Sequence, residues 1–390
     1  MAALNGRLLL GMGLAALIAG WLIFWAVRPA SAPDSAELAE TKTAVANACQ
    51  RFLNEPLPPV LVNEQPFRHA VHTLFLDEYV ASLAAAAGFD TVVQVFPWRD
   101  FNPEPGVYEW DAADYMVQLA RQYNLELVVR MDMPPEWAVL PVESGIPFDV
   151  AAYGNYVSAV AGRYRGQVLG YIIWNEPNLA AEWSRSGGEG TDHWVSYEGW
   201  VAEAADYTAV LGLAYQRIRT ADPGALVVGG GMAPTNEQSR RGVDDRDFLE
   251  AMLAAGAADC LDVLAVHDYG YGLSPEAERG AQDGLNLARI MDLREIMLAH
   301  QARQPFWITE LGYTIGPAEH PSISEEKQAL YLLGAFERTR RDWPYVEMLT
   351  VWNLVYGRPY YDEMSGYSLV EPDLSPRLAY EMLSLMEKLP

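Results

Sequence analysis

Apolar residues gather along this chain in eight compact runs: His69 to Phe75, Thr91 to Phe96, Leu125 to Met131, Val168 to Trp174, Ala225 to Gly229, Leu261 to Val266, Phe306 to Thr309 and Met348 to Trp352. Continuous runs without period-two alternation predict strands covered on both faces. The stretches between them are longer and carry helical periodicity. Tyr207, Leu211, Ala214 and Ile218 make one stripe, and Ser322 with Glu325 predicts a capping box ahead of Ala329 to Phe336. Eight strand–helix units in one chain predict an α/β fold of the closed (β/α)8 kind, the TIM barrel, over an open doubly wound sheet. Gly229-Gly-Gly231 follows a strand but lacks the spacing and acidic partner of a dinucleotide site, so it predicts a tight turn.

The N-terminus follows another pattern. Leu8 to Val27 is unbroken apolar and small residues between Arg7 and Arg28, about 30 Å if helical and enough to cross a bilayer. The apolar part of a signal peptide spans only about 7 to 15 residues, so the expectation for residues 1–28 is a membrane anchor, with a cleaved signal as the alternative. Ala30-Ser-Ala32 resembles a cleavage site, although Pro33 would follow the cut. Either reading places the rest outside the cytoplasm, tethered to a membrane or secreted. Residues 29–60 read as a tether and a helix through Leu38, Val45, Cys49 and Phe52, broken at Asn54 to Pro59. The barrel domain is expected over 61–390.

Charge narrows the partners. The 390 residues include 52 acidic and 27 basic ones, a formal net charge of −25 spread along the chain. Such a surface repels nucleic acid and anionic polymers and leaves neutral glycans open. Cys49 and Cys260 are too few for a disulfide framework; two buried thiols are the expectation and a single bridge the alternative. No cofactor or metal is expected: the six histidines are scattered, and Asp244 to Asp247 reads as a helix cap before a calcium loop. A Gly-x-Ser-x-Gly elbow is missing, and nothing marks a protein partner.

Two runs end in glutamate, Glu176 in Tyr171-Ile-Ile-Trp-Asn-Glu-Pro-Asn178 and Glu310 in Pro305-Phe-Trp-Ile-Thr-Glu-Leu-Gly312. Barrels place their chemistry at the C-terminal strand ends. Paired carboxyls there point to glycoside hydrolysis, in which one protonates the leaving oxygen and the other meets the sugar cation.

With Val95-Phe-Pro-Trp-Arg-Asp100, Glu104-Pro-Gly-Val-Tyr-Glu-Trp-Asp111, Arg130-Met-Asp-Met-Pro-Pro-Glu-Trp137 and His267-Asp-Tyr269, these motifs resemble clan A of the retaining glycoside hydrolases. The resemblance runs from about His69 to the C-terminus, and is to family 39 before family 5. It implies Glu176 as general acid and base, Glu310 as nucleophile, and Asn175 as a contact to the sugar 2-hydroxyl. Trp98, Arg130, His267, Tyr269 and Trp352 complete the expected substrate-binding set, with Trp352 as a sugar platform. Arg130 or Tyr269 would hold Glu310 ionised. Trp137, Tyr313, Tyr356 and Asn353 are further candidates at the mouth, while Trp174 and Trp110 read as core. The β-sandwich that follows the barrel in the family's xylosidases has no counterpart in this sequence, which points toward the exopolysaccharide-cleaving members. Two rival expectations keep the same residues: an inactive carbohydrate-binding barrel and a transglycosylase.

Overall fold

The computed structural model describes residues 48–61, 66–184, 197, 199–316, 321–356 and 363–387. The anchor segment 1–28 and most of the tether lie outside these residues. Of the helix expected through Phe52, the described part is a single 3-10 turn, Ala48–Gln50. Among the described residues no helix is long and apolar enough to cross a membrane.

All eight apolar runs form strands: β1 (Arg68–Thr73), β2 (Thr91–Pro97), β3 (Glu126–Asp132), β4 (Gly170–Ile173), β5 (Leu226–Met232), β6 (Val263–His267), β7 (Phe306–Leu311) and β8 (Val346–Val351). Each pairs in parallel with the next, and β8 pairs with β1 to close the barrel. A helix follows each strand: α1 (Glu78–Ala86), α2 (Asp111–Gln122), α3 (Val150–Arg163), α4 (Ala204–Ala221), α5 (Asp245–Ala254), α6 (Ile290–Ala299), α7 (Glu325–Asp342) and α8 (Leu378–Leu385). The expected stripe of α4 is fully buried. Asp244 caps α5 by accepting from the Arg246 amide, the role its acidic run suggested.

Inward side chains build the barrel in layers. Ala70, Val93, Val128, Ile172, Val263, Trp307 and Met348 belong to an apolar floor. Trp307 fits because β4 begins with glycine: a Cβ at Gly170 would meet the Trp307 ring at 3.3 Å and the Leu226 carbonyl at 3.1 Å. Side chains alternate along a strand, so the next inward positions after Ala70, Val128 and Ala265 are His72, Arg130 and His267. The floor is therefore apolar and the layer above it ionisable.

Three expectations change here. Gly229 to Gly231 lies inside β5, where the register shifts between Gly230 and Met232 and Gly230 takes a φ of +101°. The residues make a bulge within the strand, not a turn after it. The cap of α7 is Ser324, whose hydroxyl accepts from the Lys327 amide. Ser322 is excluded because Ile323 bridges Ile315 as extended chain, which delays the helix. Glu325 instead accepts from the Leu378 amide at 2.8 Å and ties α7 to α8. Finally, Cys49 and Cys260 are not free thiols: they form a disulfide with Cα atoms 6.2 Å apart. Separation in sequence hid what the packing of the 3-10 turn on α4 brings about, where the Cys49 backbone occupies the space that a side chain at Gly212 would need.

Candidate active site

Glu176 and Glu310 meet at the C-terminal mouth of the barrel, and local backbone irregularities aim both. Beyond β4, Trp174 and Glu176 adopt positive φ values of +68° and +38°, a conformation that non-glycine residues rarely hold without support from their surroundings. The support comes from β5, whose Gly231 carbonyl accepts from the Glu176 amide at 2.9 Å. In β7, strict alternation from Trp307 would turn Thr309 inward. A register shift against β8 between Ile308 and Leu311 turns Glu310 there instead, the re-aiming that a bulge performs.

His267 stands between the two carboxyls. Its Nδ1 lies 2.7 Å from Oε1 of Glu176 and 3.6 Å from Oε2 of Glu310. The Tyr269 hydroxyl donates to Oε2 of Glu310 at 2.7 Å. Nη1 of Arg130 donates to Oε1 of Glu310 and to Oδ1 of Asn175, each at 2.9 Å, while its Nε lies 2.9 Å from Oδ2 of Asp132. His72 completes the ring with Nε2 at 4.0 Å from Oε1 of Glu310. The Glu176 side chain is 14% exposed and that of Glu310 8%, so Glu176 is the more open of the pair.

These contacts set the protonation states. Burial alone would raise Glu310, but the charges of His267 and Arg130 and the Tyr269 hydrogen bond outweigh it and hold the carboxyl below its ordinary range. Burial opposes the charge of His267, and Glu310 with Glu176 more than restores it, so this histidine is raised. His72 is pushed down to about 3, first by burial and then by Arg130, and stays neutral. A third carboxyl, Glu182 in the loop after β4, is pushed up to about 7 by burial and by the charge of Glu176, with Arg130 and an Asn175 hydrogen bond opposing.

One donor atom from each of Glu176, His267 and Glu310 falls within 4.8 Å of the others, close enough to suggest a metal. The donors are already engaged: Arg130 and Tyr269 occupy both oxygens of Glu310, and a divalent ion would face the guanidinium. Such a cluster of buried, perturbed titratable groups marks a candidate functional site.

The structure brings together Glu176, Glu310, Asn175, Arg130, His267 and Tyr269. Arg130 is buried against Glu310 and Asp132, to about the same degree as Glu310 and Asn175, and holds the glutamate in place. Trp98 is a correction. Fully buried, it stacks on Tyr156 at 5.8 Å beneath Trp137 and has no free face. Asn353 is likewise buried, its Oδ1 accepting from Ser368, and so is Tyr313. Trp352 is half-buried at the tip of β8, edge-on to Tyr269 at 6.4 Å and Tyr367 at 5.5 Å. Trp174 is core, as expected, whereas Trp110 is only half-buried. His72, Asp132 and Glu182 were not foreseen. Strand parity finds the first two once Ala70 and Val128 are known to point inward; Glu182 reaches the site through a loop, for which no such rule exists.

No family model matches the sequence. Among solved structures, the chain is similar to a family 39 glycoside hydrolase from the gut symbiont Bacteroides cellulosilyticus WH2, with a TM-score of 0.61 and 17% identity over 84% of this chain and 65% of that one. It therefore spans just under two thirds of that relative. A β-glycosidase matches with a TM-score of 0.57 and 18% identity, covering 84% of this chain and 99% of the other. Xylanase 10B from Thermotoga petrophila RKU-1, solved with xylobiose, matches with a TM-score of 0.54 and 15% identity over 83% and 97%. At these identities the likeness establishes the fold, a barrel that these glycoside hydrolases share.

Proposed function

We propose that this chain is a retaining glycoside hydrolase that cleaves O-glycosidic bonds of a neutral glycan. The spacing of the two carboxyls carries the reading. Donor oxygens of Glu176 and Glu310 lie within 4.8 Å, near the roughly 5–5.5 Å of double displacement and well below the roughly 6.5–9.5 Å that leaves room for water in inversion. Glu310, ionised and buried, attacks the anomeric carbon, and the more open Glu176 gives its proton to the leaving oxygen. A glycosyl ester on Glu310 results. Glu176, now a carboxylate, takes a proton from water, which attacks the same carbon and frees Glu310.

The surrounding groups serve this cycle. Tyr269 and Arg130 keep the nucleophile ionised before attack. Arg130 on Glu310 and His267 between the carboxyls, the latter raised chiefly by the charge of Glu310, let the two groups sit so close. Once Glu310 is an ester, the charge that did most to raise His267 is gone, while the imidazole keeps its 2.7 Å approach to Glu176 as that group acts as a base. Asn175, held by Arg130, and Trp352 face the sugar. The solved neighbours include endoxylanases and β-galactosidases, so xylosides and galactosides are the first sugars to test. The Cys49–Cys260 disulfide, rare in reducing compartments, supports an extracytoplasmic site of action together with the apolar segment at Leu8 to Val27.

The test is trapping of the covalent intermediate. Incubation with activated 2-deoxy-2-fluoro xyloside, galactoside and glucoside, followed by intact mass and peptide mapping, is expected to place one glycosyl group on Glu310 and none in the E310Q variant. A folded protein that takes up no label from these sugars or their oligomers would move the reading to the carbohydrate-binding barrel.

A further inference from the structure

Beside the mouth, between the ends of β1 and β2 and the start of α2, the surface holds a cavity of about 620 Å³. None of its lining residues belongs to the cluster around the glutamates. Leu74 and Phe75, just past β1, are 40% and 49% exposed there, two adjacent apolar side chains on the cavity wall. Across from them Tyr108 lies flat on Trp110, with centroids 5.1 Å apart and planes at 6°. The Arg163 guanidinium, also part of the cavity wall, sits 5.1 Å from the Trp110 ring and pairs with Asp114, which holds the stack in place. Tyr108 is thus a half-buried ring held in one orientation. Exposed carboxylates of Asp100, Glu109 and Asp111 surround the rings.

We propose that this cavity is a second glycan site, separate from the cleft, that takes a stretch of neutral oligosaccharide; the proposal rests on the glycan-cleaving reading above. Rigid rings offer faces for the C–H side of a pyranose, and carboxylates accept hydrogen bonds from its hydroxyls. The same carboxylates, on a chain of net charge −25, repel anionic ligands. A cationic ligand would find Arg163 already over Trp110. Leu74 follows β1 and Pro97 ends β2, so part of the cavity wall lies at the strand ends, the same end that carries Glu176 and Glu310. A polymer held here keeps its neighbouring segments near the cleft, raising their effective concentration without any new contact at the glutamates.

The experiment uses the full chain, labelled with 5-fluorotryptophan and held in a detergent without sugar headgroups. W110F and W352F assign the fluorine resonances of the cavity and the cleft. Titration with xylohexaose and with cellohexaose is expected to shift the Trp110 resonance saturably with at least one of them. Y108A is expected to weaken that response by about tenfold while the remaining tryptophan resonances report an intact fold. F75A, which removes an exposed side chain and leaves the core untouched, is expected to weaken it as well. A shift at Trp352 with none at Trp110, or a Trp110 response indifferent to both variants, overturns the second site and leaves the glycan reading standing. Silence at both tryptophans with millimolar sugar overturns both.

Discussion

Arg130 donates one nitrogen to both Glu310 and Asn175 and turns its Nε to Asp132, so a single buried cation orients three polar groups. Replacing it with methionine removes the charge that favours ionised Glu310. The carboxyl pKa then rises, and the acid limb of the kcat/KM profile is expected to move to higher pH by about one unit or more; a limb that stays in place would show that His267 and Tyr269 suffice. Glu182 behaves in the opposite sense. Raised from its ordinary 4.5 to about 7, it binds a proton in the folded state that the unfolded chain has released. Stability therefore falls as pH climbs through that window and stays lower above it. E182Q is expected to melt like the parent below about pH 4.5 and above it beyond pH 7; equal melting points at pH 8 would refute this. The two glutamates were legible because each ends an apolar run. His72 and Asp132 were not, since a run apolar on both faces hides which of its residues point inward.

Strand ends, more than whole strands, decide what reaches the mouth. The bulge at Gly230 lets β5 present the Gly231 carbonyl to the Glu176 amide, and the bulge in β7 turns Glu310 inward. A Cβ at Gly230 would stand 2.6 Å from the Ala265 carbonyl, at a φ of +101° that side chains avoid. G230A is expected to lower stability by about 1–3 kcal/mol and to reduce kcat more than it raises KM, because the turn that aims Glu176 loses its support. Thermal melts and steady-state kinetics check both; a variant as stable and active as the parent would remove the bulge from the account. Eight strands could be read from continuous apolar runs and the intervening helices from amphipathic stretches, both of which report burial. A bulge leaves burial almost unchanged, and so it leaves almost no trace in an apolar run.

Across the molecule, the Cys49–Cys260 disulfide joins positions 211 residues apart, tying the turn before the barrel to the base of β6. Closing so long a loop restricts the unfolded chain, and C49A/C260A is expected to lose about 2–5 kcal/mol, with reductant giving the parent the same loss. Denaturant midpoints measure it, and an unchanged midpoint would mean that packing on α4 already holds the turn. The sequence left the bridge an open alternative to two free thiols, because neither spacing nor composition says which segments of a barrel become neighbours. What the sequence determined by itself was local: strands buried on both faces, helices with one apolar stripe, their alternation and hence the barrel, and a glutamate at two strand tips. Tertiary structure alone decided the rest. It brought β4, β6 and β7 to one mouth, set a histidine between the carboxyls, buried Trp98 and closed the disulfide, because distances between residues far apart in sequence are fixed only when the sheet closes and its core packs.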